Sequence, residues 1–260
     1  YMTTATATFY ISARATGAST GAEYVIRTNT APLAGAWSAD TSVGDANVNI
    51  TGMVNVNNVV YIAKEDSLWK VNTDGTVSMI VDYKLLTAST SGVGITGWNN
   101  KVYIPVGVNS LIEYDPDTGT YSNISPAATA SSVTQAQIAT GGAILSAIQT
   151  DFDGRIMTVT GGNEYLWVLQ DNGSVNNLFK GQYSNIDGAG WHWHPVANTT
   201  MADVTVMAMS SLTGAPIIWV AHGTGNPGYY NLATYEITDP TYAYPMLITP
   251  YYTGGVWRMM

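Results

Sequence analysis

The chain has 260 residues, 46% of them hydrophobic and only 10% charged, and Lys plus Arg 9 against Asp plus Glu 18 gives a net charge of -9. A soluble domain usually carries about 25% charge, so uncharged polar groups must solvate this surface, while the apolar fraction excludes intrinsic disorder. No basic face is available for nucleic acid, no cysteine for disulfides or thiolate metal sites, and no apolar run long enough to span a membrane.

The chain opens on Tyr1 rather than Met, without a basic-then-apolar leader, and is expected to be a processed or partial piece of something longer. Its first strand pair is Phe9 to Ala13 with Glu23 to Arg27, across a Gly-rich gap. That gap holds Gly17-Ala-Ser19-Thr-Gly21, which matches the letters of a hydrolase nucleophile elbow. The elbow needs a strand-to-helix turn, and the residues that follow read as a returning strand, so a plain turn is expected.

The clearest repeat runs from Val59 to Val81: Val-Val-Tyr-Ile-Ala, a polar gap, Leu-Trp69-Lys-Val, the turn Asn72-Thr-Asp74-Gly75, then Thr-Val-Ser-Met-Ile-Val. Lys101 to Ile124 repeats this order around Asp115-Pro-Asp117-Thr-Gly119. Residues 127 to 148 break the pattern and are expected to hold an insertion or one short helix. A third copy runs from Arg155 to Phe179, with Ile-Met-Thr-Val-Thr, Tyr-Leu-Trp167-Val-Leu and Asp171-Asn-Gly173. A fifth, fainter copy pairs Ile217 to Ala221 with Tyr229 to Ile237.

Turn glycines supply the positive φ of tight hairpins, β-branched and aromatic residues suit a pleated surface, and helix-period stripes are missing. A hairpin repeat of this size matches one four-stranded blade. The expectation is an all-β, propeller-like array of about five four-stranded antiparallel blades, forming a single domain over 1–260 or part of a larger ring. An extended β-solenoid and a pair of sandwiches are the alternatives.

Candidate chemistry is sparse. Asp115/Asp117 and Asp151/Asp153 place carboxylates two apart as in calcium loops, but neither run supplies the later ligands, and turn chemistry explains both. Trp191-His192-Trp193-His194 on a strand would put both imidazoles on one face, so His192 and His194 are candidate metal ligands. His222, Asp187 or Asp203 would have to complete such a site; the plainer reading is an aromatic strand with its histidines at a rim. Gly223-Thr-Gly225-Asn-Pro-Gly228 has the letters of a dinucleotide fingerprint but precedes a strand, not a helix. Sequons at Asn49, Asn123, Asn172 and Asn198 are no more than composition predicts. No cofactor is indicated.

Tyr 17 and Trp 8 far outnumber Phe 3. Such rings, with a polar tip on an apolar body, suit wet interfaces and sugar-stacking surfaces. Trp69, Trp98 and Trp167 are therefore candidate ligand-binding residues. Tyr229, Tyr230, Tyr242, Tyr244, Tyr251 and Tyr252 are candidate assembly contacts.

The stretch Pro216-Ile-Ile-Trp-Val-Ala-His-Gly-Thr-Gly-Asn226, followed by Tyr229-Tyr-Asn-Leu and Tyr251-Tyr-Thr-Gly-Gly, resembles propeller-like segments of tail or fibre proteins in tailed bacteriophages. That resemblance implies a non-enzymatic virion component, partnered by other virion proteins in a multimer and located in the particle. A glycan-binding propeller, lectin-like or receptor-binding and secreted or at a cell surface, is the first alternative. A propeller glycoside hydrolase with convergent carboxylates is the second.

Overall fold

A computed structural model describes residues 1–18, 21–31, 34–83, 91–107, 110–124, 155–162, 164–171, 176–184, 190–195, 204–210, 217–222, 228–231, 236–238, 251–253 and 256–258. The strands fall into consecutive groups of four. Blade 1 is β1 (Met2–Ala5), β2 (Thr8–Ala13), β3 (Val25–Asn29) and β4 (Thr41–Ser42); blade 2 is β5 (Ile50–Val56), β6 (Val59–Lys64), β7 (Ser67–Val71) and β8 (Val77–Asp82). Blade 3 is β9 (Thr96–Trp98), β10 (Lys101–Val106), β11 (Ser110–Asp115) and β12 (Thr120–Asn123); blade 4 is β13 (Arg155–Gly162), β14 (Tyr165–Asp171), β15 (Asn176–Ser184) and β16 (Gly190–Pro195). Blade 5 is β17 (Val204–Ser210), β18 (Ile217–His222), β19 (Gly228–Asn231) and β20 (Glu236–Thr238), and a further hairpin pairs β21 (Tyr251–Thr253) with β22 (Val256–Arg258).

Each group of four is an antiparallel meander in which chain order equals sheet order. The first strands of successive blades touch: β1 meets β5, β5 meets β9, β9 meets β13, and β13 meets β17. They form the shared inner edge of a propeller-like array, and the expected all-β architecture of about five blades is what the structure has.

Two local signals recur among the described turns. The first-to-second strand turns hold Thr6-Ala7, Asn57-Asn58 and Asn99-Asn100, all at positive φ, and Glu164 does the same in blade 4. Positive φ at both central residues is the hairpin geometry whose twist matches that of the flanking strands, and Asn tolerates it. The third-to-fourth strand turns use Gly75 (φ 82) and Gly119 (φ 70).

These hairpins also correct the repeat alignment. Aligned on their turns, the second strands read Thr8-Phe-Tyr10, Val59-Val-Tyr61, Lys101-Val-Tyr103, Tyr165-Leu-Trp167 and Ile217-Ile-Trp219, with an aromatic third in each. The copy read from Arg155 was one strand out of register, because β13 is a first strand and not the counterpart of β6 or β10. Residues 127 to 148 lie outside the described residues.

Alternation along each strand divides the core into slabs between blades. Val60 and Ile62 pack toward blade 1 with Ile26, Val43 and Met53, whereas Tyr61 and Ala63 pack toward blade 3 with Val102, Ile104 and Tyr114. Tyr103 and Leu111 face blade 4 with Val159, Leu166, Val168, Phe179 and Trp193. Strands apolar on both faces are what stacked sheets require.

Candidate functional site

Among the described residues the strand register shows how the grooves between blades 1 and 2, 2 and 3, and 3 and 4 are filled. Tyr61 pairs with Lys70 and Tyr103 with Glu113, so the next residues along the third strands, Val71 and Tyr114, occupy equivalent places. These residues face the preceding blade. In the groove between blades 2 and 3 the Tyr114 ring meets Tyr61 at 5.9 Å between centroids. Burial, then the neighbouring Tyr114 and Asp117, pushes the Tyr61 hydroxyl up to about 12.

In the groove between blades 3 and 4 the filler comes from β16. Trp191 meets the Tyr103 ring edge-on at 5.9 Å and stacks on Trp193 at 5.6 Å. Trp193 lies over Gly181, where any Cβ would clash with its ring. Glu113 ties this groove together. Its carboxylate accepts from Lys101 Nζ at 2.7 Å and from Trp191 Nε1 at 3.2 Å, and hydrogen-bonds the Tyr103 hydroxyl. Burial and then this carboxylate push the Tyr103 hydroxyl far above its ordinary value.

The groove between blades 1 and 2 takes the Trp69 indole, which packs against the same core cluster as Tyr10 and Val71. Opposite Tyr10 the filler position holds Val71, and a cleft of about 550 Å³ remains. Tyr10, Ile26 and Val71 give it apolar surface, while Thr8, Thr28, Ser38, Thr41, Thr76, Asp40 and Asp74 line it with hydroxyls and carboxylates. Among the described residues it has no Lys, Arg or His in its lining.

Both carboxylates are held ionised. Asp40 Oδ1 takes the Arg27 Nε proton donor at 2.6 Å and its Oδ2 takes the Thr16 amide, and these bonds hold the carboxyl below its ordinary range. Asp74 accepts the Thr76 hydroxyl at 2.6 Å and the Thr76 amide at 2.9 Å, both on Oδ1, and is lowered for that reason. The Asp74-Gly75 turn therefore projects a fixed negative charge at the cleft.

The sequence candidates fall elsewhere. Trp167 is 1% exposed, its Nε1 donating to the Gly162 carbonyl, which leaves no ring face for a ligand. Trp69 packs against Gly44 and donates to Ser67 Oγ, and Trp98 packs against Gly161 and tilts on Tyr103. All three are wedges between strands or blades.

His192 lies on β16 with Nε2 buried and unpartnered. The His194 side chain lies outside the described residues, but its strand position is directly opposite Lys180, a cation where a metal site would want another ligand. Among the described residues no group of three potential metal-binding side chains converges. Asp115 Oδ1 caps its own turn by accepting the Asp117 and Thr118 amides. Tyr229 and Tyr230 lie on β19 and Tyr251 and Tyr252 on β21 as backbone positions, while Tyr242, Tyr244, Asp151, Asp153, Asp187, Asp203 and residues 223–227 lie outside the described residues.

Tyr10 is the aromatic residue that the sequence reading missed. Its signal was the pairing of Tyr10, Tyr61 and Tyr103 as third residues of second strands, set against Val71 where blade 3 has Tyr114.

Five stacked four-stranded meanders with grooves between them define the β-propeller class. No family model matches the chain, and no curated protein matches it. Solved structures do. The chain is similar to streptogramin B lyase at 15% identity and TM-score 0.50, over 83% of this chain and 61% of that one. It is similar to PorZ, a surface component of the type-IX secretion system of Porphyromonas gingivalis, at 10% identity and TM-score 0.53, over 90% of this chain and 32% of that one. The extracellular domain of BT4673 from B. thetaiotaomicron matches at 10% identity and TM-score 0.52, over 92% of this chain and 32% of that one. This chain thus spans less than two thirds of the length of these structures.

These bacterial propellers overturn the tail-fibre resemblance. Its physical basis is now plain: Ile217–His222 and Gly228–Asn231 are the second and third strands of a propeller blade.

Proposed function

We propose that this chain is a non-enzymatic carbohydrate-binding propeller whose site is the cleft between blades 1 and 2. The carrying observation is the open groove itself: Val71 stands where blade 3 has Tyr114, the groove's own indole, Trp69, is seated on Gly44, and Tyr10 is left beside a rim of hydroxyls and carboxylates. A sugar presents an apolar face of C–H groups and an equatorial belt of hydroxyls. Tyr10, Ile26 and Val71 suit the first, and Thr8, Thr28, Thr41 and Asp74 suit the second.

The hydrolase alternative gains less support. Its carboxylates should converge at the inner edge, yet β1, β5, β9, β13 and β17 read MTTA, ITGMVNV, TGW, RIMTVTGG and VTVMAMS, without one Asp or Glu.

The test is a screen against immobilised glycans followed by titration calorimetry. Val71→Tyr, which copies the residue of blade 3, should abolish binding while leaving the melting temperature within a few degrees of wild type. Tyr10→Ala should weaken binding about tenfold or more. Retention of no glycan, or undiminished binding by Val71→Tyr, would overturn the reading.

A further inference from the structure

Resting on that reading, we infer that the cleft selects sugars by charge and takes amino sugars bearing a free ammonium in preference to their acylated or acidic counterparts. The cleft lining contains Asp40 and Asp74 and, among the described residues, no cation. Arg27, the cation paired with Asp40, has its Nε on that carboxylate and its Nη2 on the Arg14 carbonyl and Thr16 hydroxyl. It is committed to blade 1 and cancels the Asp40 charge.

Asp74 is left as the uncompensated charge of the cleft. Its protein hydrogen bonds fall on Oδ1, which leaves Oδ2 for a ligand. An ammonium brings three donors and no acceptor, and the acceptors that line the cleft with this carboxylate include Asp40 and the hydroxyls of Thr8, Thr28, Ser38, Thr41 and Thr76. A charge-assisted bond to a carboxylate is about twice as strong as a neutral one. Acylating the amine removes that charge and adds bulk. A uronic acid would set a second anion against Asp74, in a protein that already carries a net charge of -9.

The experiment is calorimetric titration of wild type, Asp74→Asn and Val71→Tyr with β-1,4 glucosamine oligomers, their N-acetylated counterparts of equal length, and oligogalacturonate. Wild type should bind the glucosamine oligomer about tenfold tighter than the N-acetylated one and leave oligogalacturonate unbound. Asp74→Asn should bring the first two within about twofold, and Val71→Tyr should bind none. Equal or tighter binding of the N-acetylated oligomer, or an unchanged ratio in Asp74→Asn, overturns the charge selection alone and leaves a carbohydrate site standing. Glucosamine binding that survives Val71→Tyr overturns it too, since the attraction then belongs to the acidic surface at large. Absence of binding to every sugar removes both this inference and the reading beneath it.

Discussion

The indole of Trp98, on the inner strand of blade 3, lies against the backbone of Gly161 on the inner strand of blade 4, so close that a Cβ there would overlap the ring. Gly44 does the same for Trp69 and Gly181 for Trp193. Three tryptophans are thus each seated on a glycine, a large residue over the smallest one, which is how stacked sheets interlock without voids. Gly161→Ala should cost about 1–3 kcal/mol by overpacking. Chemical denaturation followed by indole fluorescence would measure it, and adding Trp98→Leu should restore part of the loss, because the two residues are coupled. A Gly161→Ala protein as stable as wild type would contradict this packing.

Lys64 supplies a second test, in the link between blades. It is 1% exposed, and its ammonium donates to the carbonyls of Val43 and Asp45 in the segment that leads into blade 2. Desolvation holds its pKa below the ordinary 10.5, against the pull of Asp66, Asp45 and Glu65. Lys64→Met keeps the stem and removes the donor, leaving two carbonyls unsatisfied. The expected loss is about 1–3 kcal/mol in thermal or denaturant unfolding. In wild type the folded state holds the proton less tightly than the unfolded chain, so this residue should make stability rise with pH in the alkaline range up to 10.5, and Lys64→Met should lack that rise.

How far these features could be read in advance follows from their range along the chain. The second strands and the Gly75 and Gly119 turns are local: apolar alternation and positive-φ residues write them directly into sequence. Blade number followed from repetition of those local units. The displaced third copy arose because β13 and β14 are both rich in branched residues, and only the Asn57-Asn58 and Asn99-Asn100 turns mark which strand comes first. The cleft was not legible, because it depends on Val71 and Tyr10, from two different blades, lining one groove. Trp167 misled for the same reason: an aromatic on a strand looks alike whether the next blade covers it or solvent does.

The Asp40–Arg27 pair should make blade 1 sensitive to acid. Asp40 is held below its ordinary 3.8, first by the Arg27 hydrogen bond and then by the Thr16 amide. A carboxyl with a lowered folded pKa contributes stability that is fully present above 3.8 and is lost as pH falls through the lowered value. Asp40→Asn should therefore lower the melting temperature at neutral pH yet flatten its further decline below that point. Parallel pH-melting curves for wild type and variant would check it, and identical acid limbs would contradict the role given to this pair.

The strongest test of groove filling runs the substitution the other way, from closed to open. Tyr114 is 6% exposed and packs its ring on Tyr61, so Tyr114→Val should remove the filler between blades 2 and 3 and leave a counterpart of the cleft beside Tyr10. The cost in stability should be about 2–3 kcal/mol, the range for a large-to-small change in a packed slab. Two further readouts separate an opened groove from simple damage. The Tyr61 hydroxyl, pushed up to about 12 by burial and by Tyr114, should titrate closer to its ordinary 10.0 in an ultraviolet pH titration. On the proposed reading, and if the filler alone distinguishes the grooves, the number of sugars bound per chain should also rise by one. An opened groove that titrates Tyr61 early but gains no second site would mean that the Asp74 turn, and not the vacancy beside Val71, makes the first cleft a binding site.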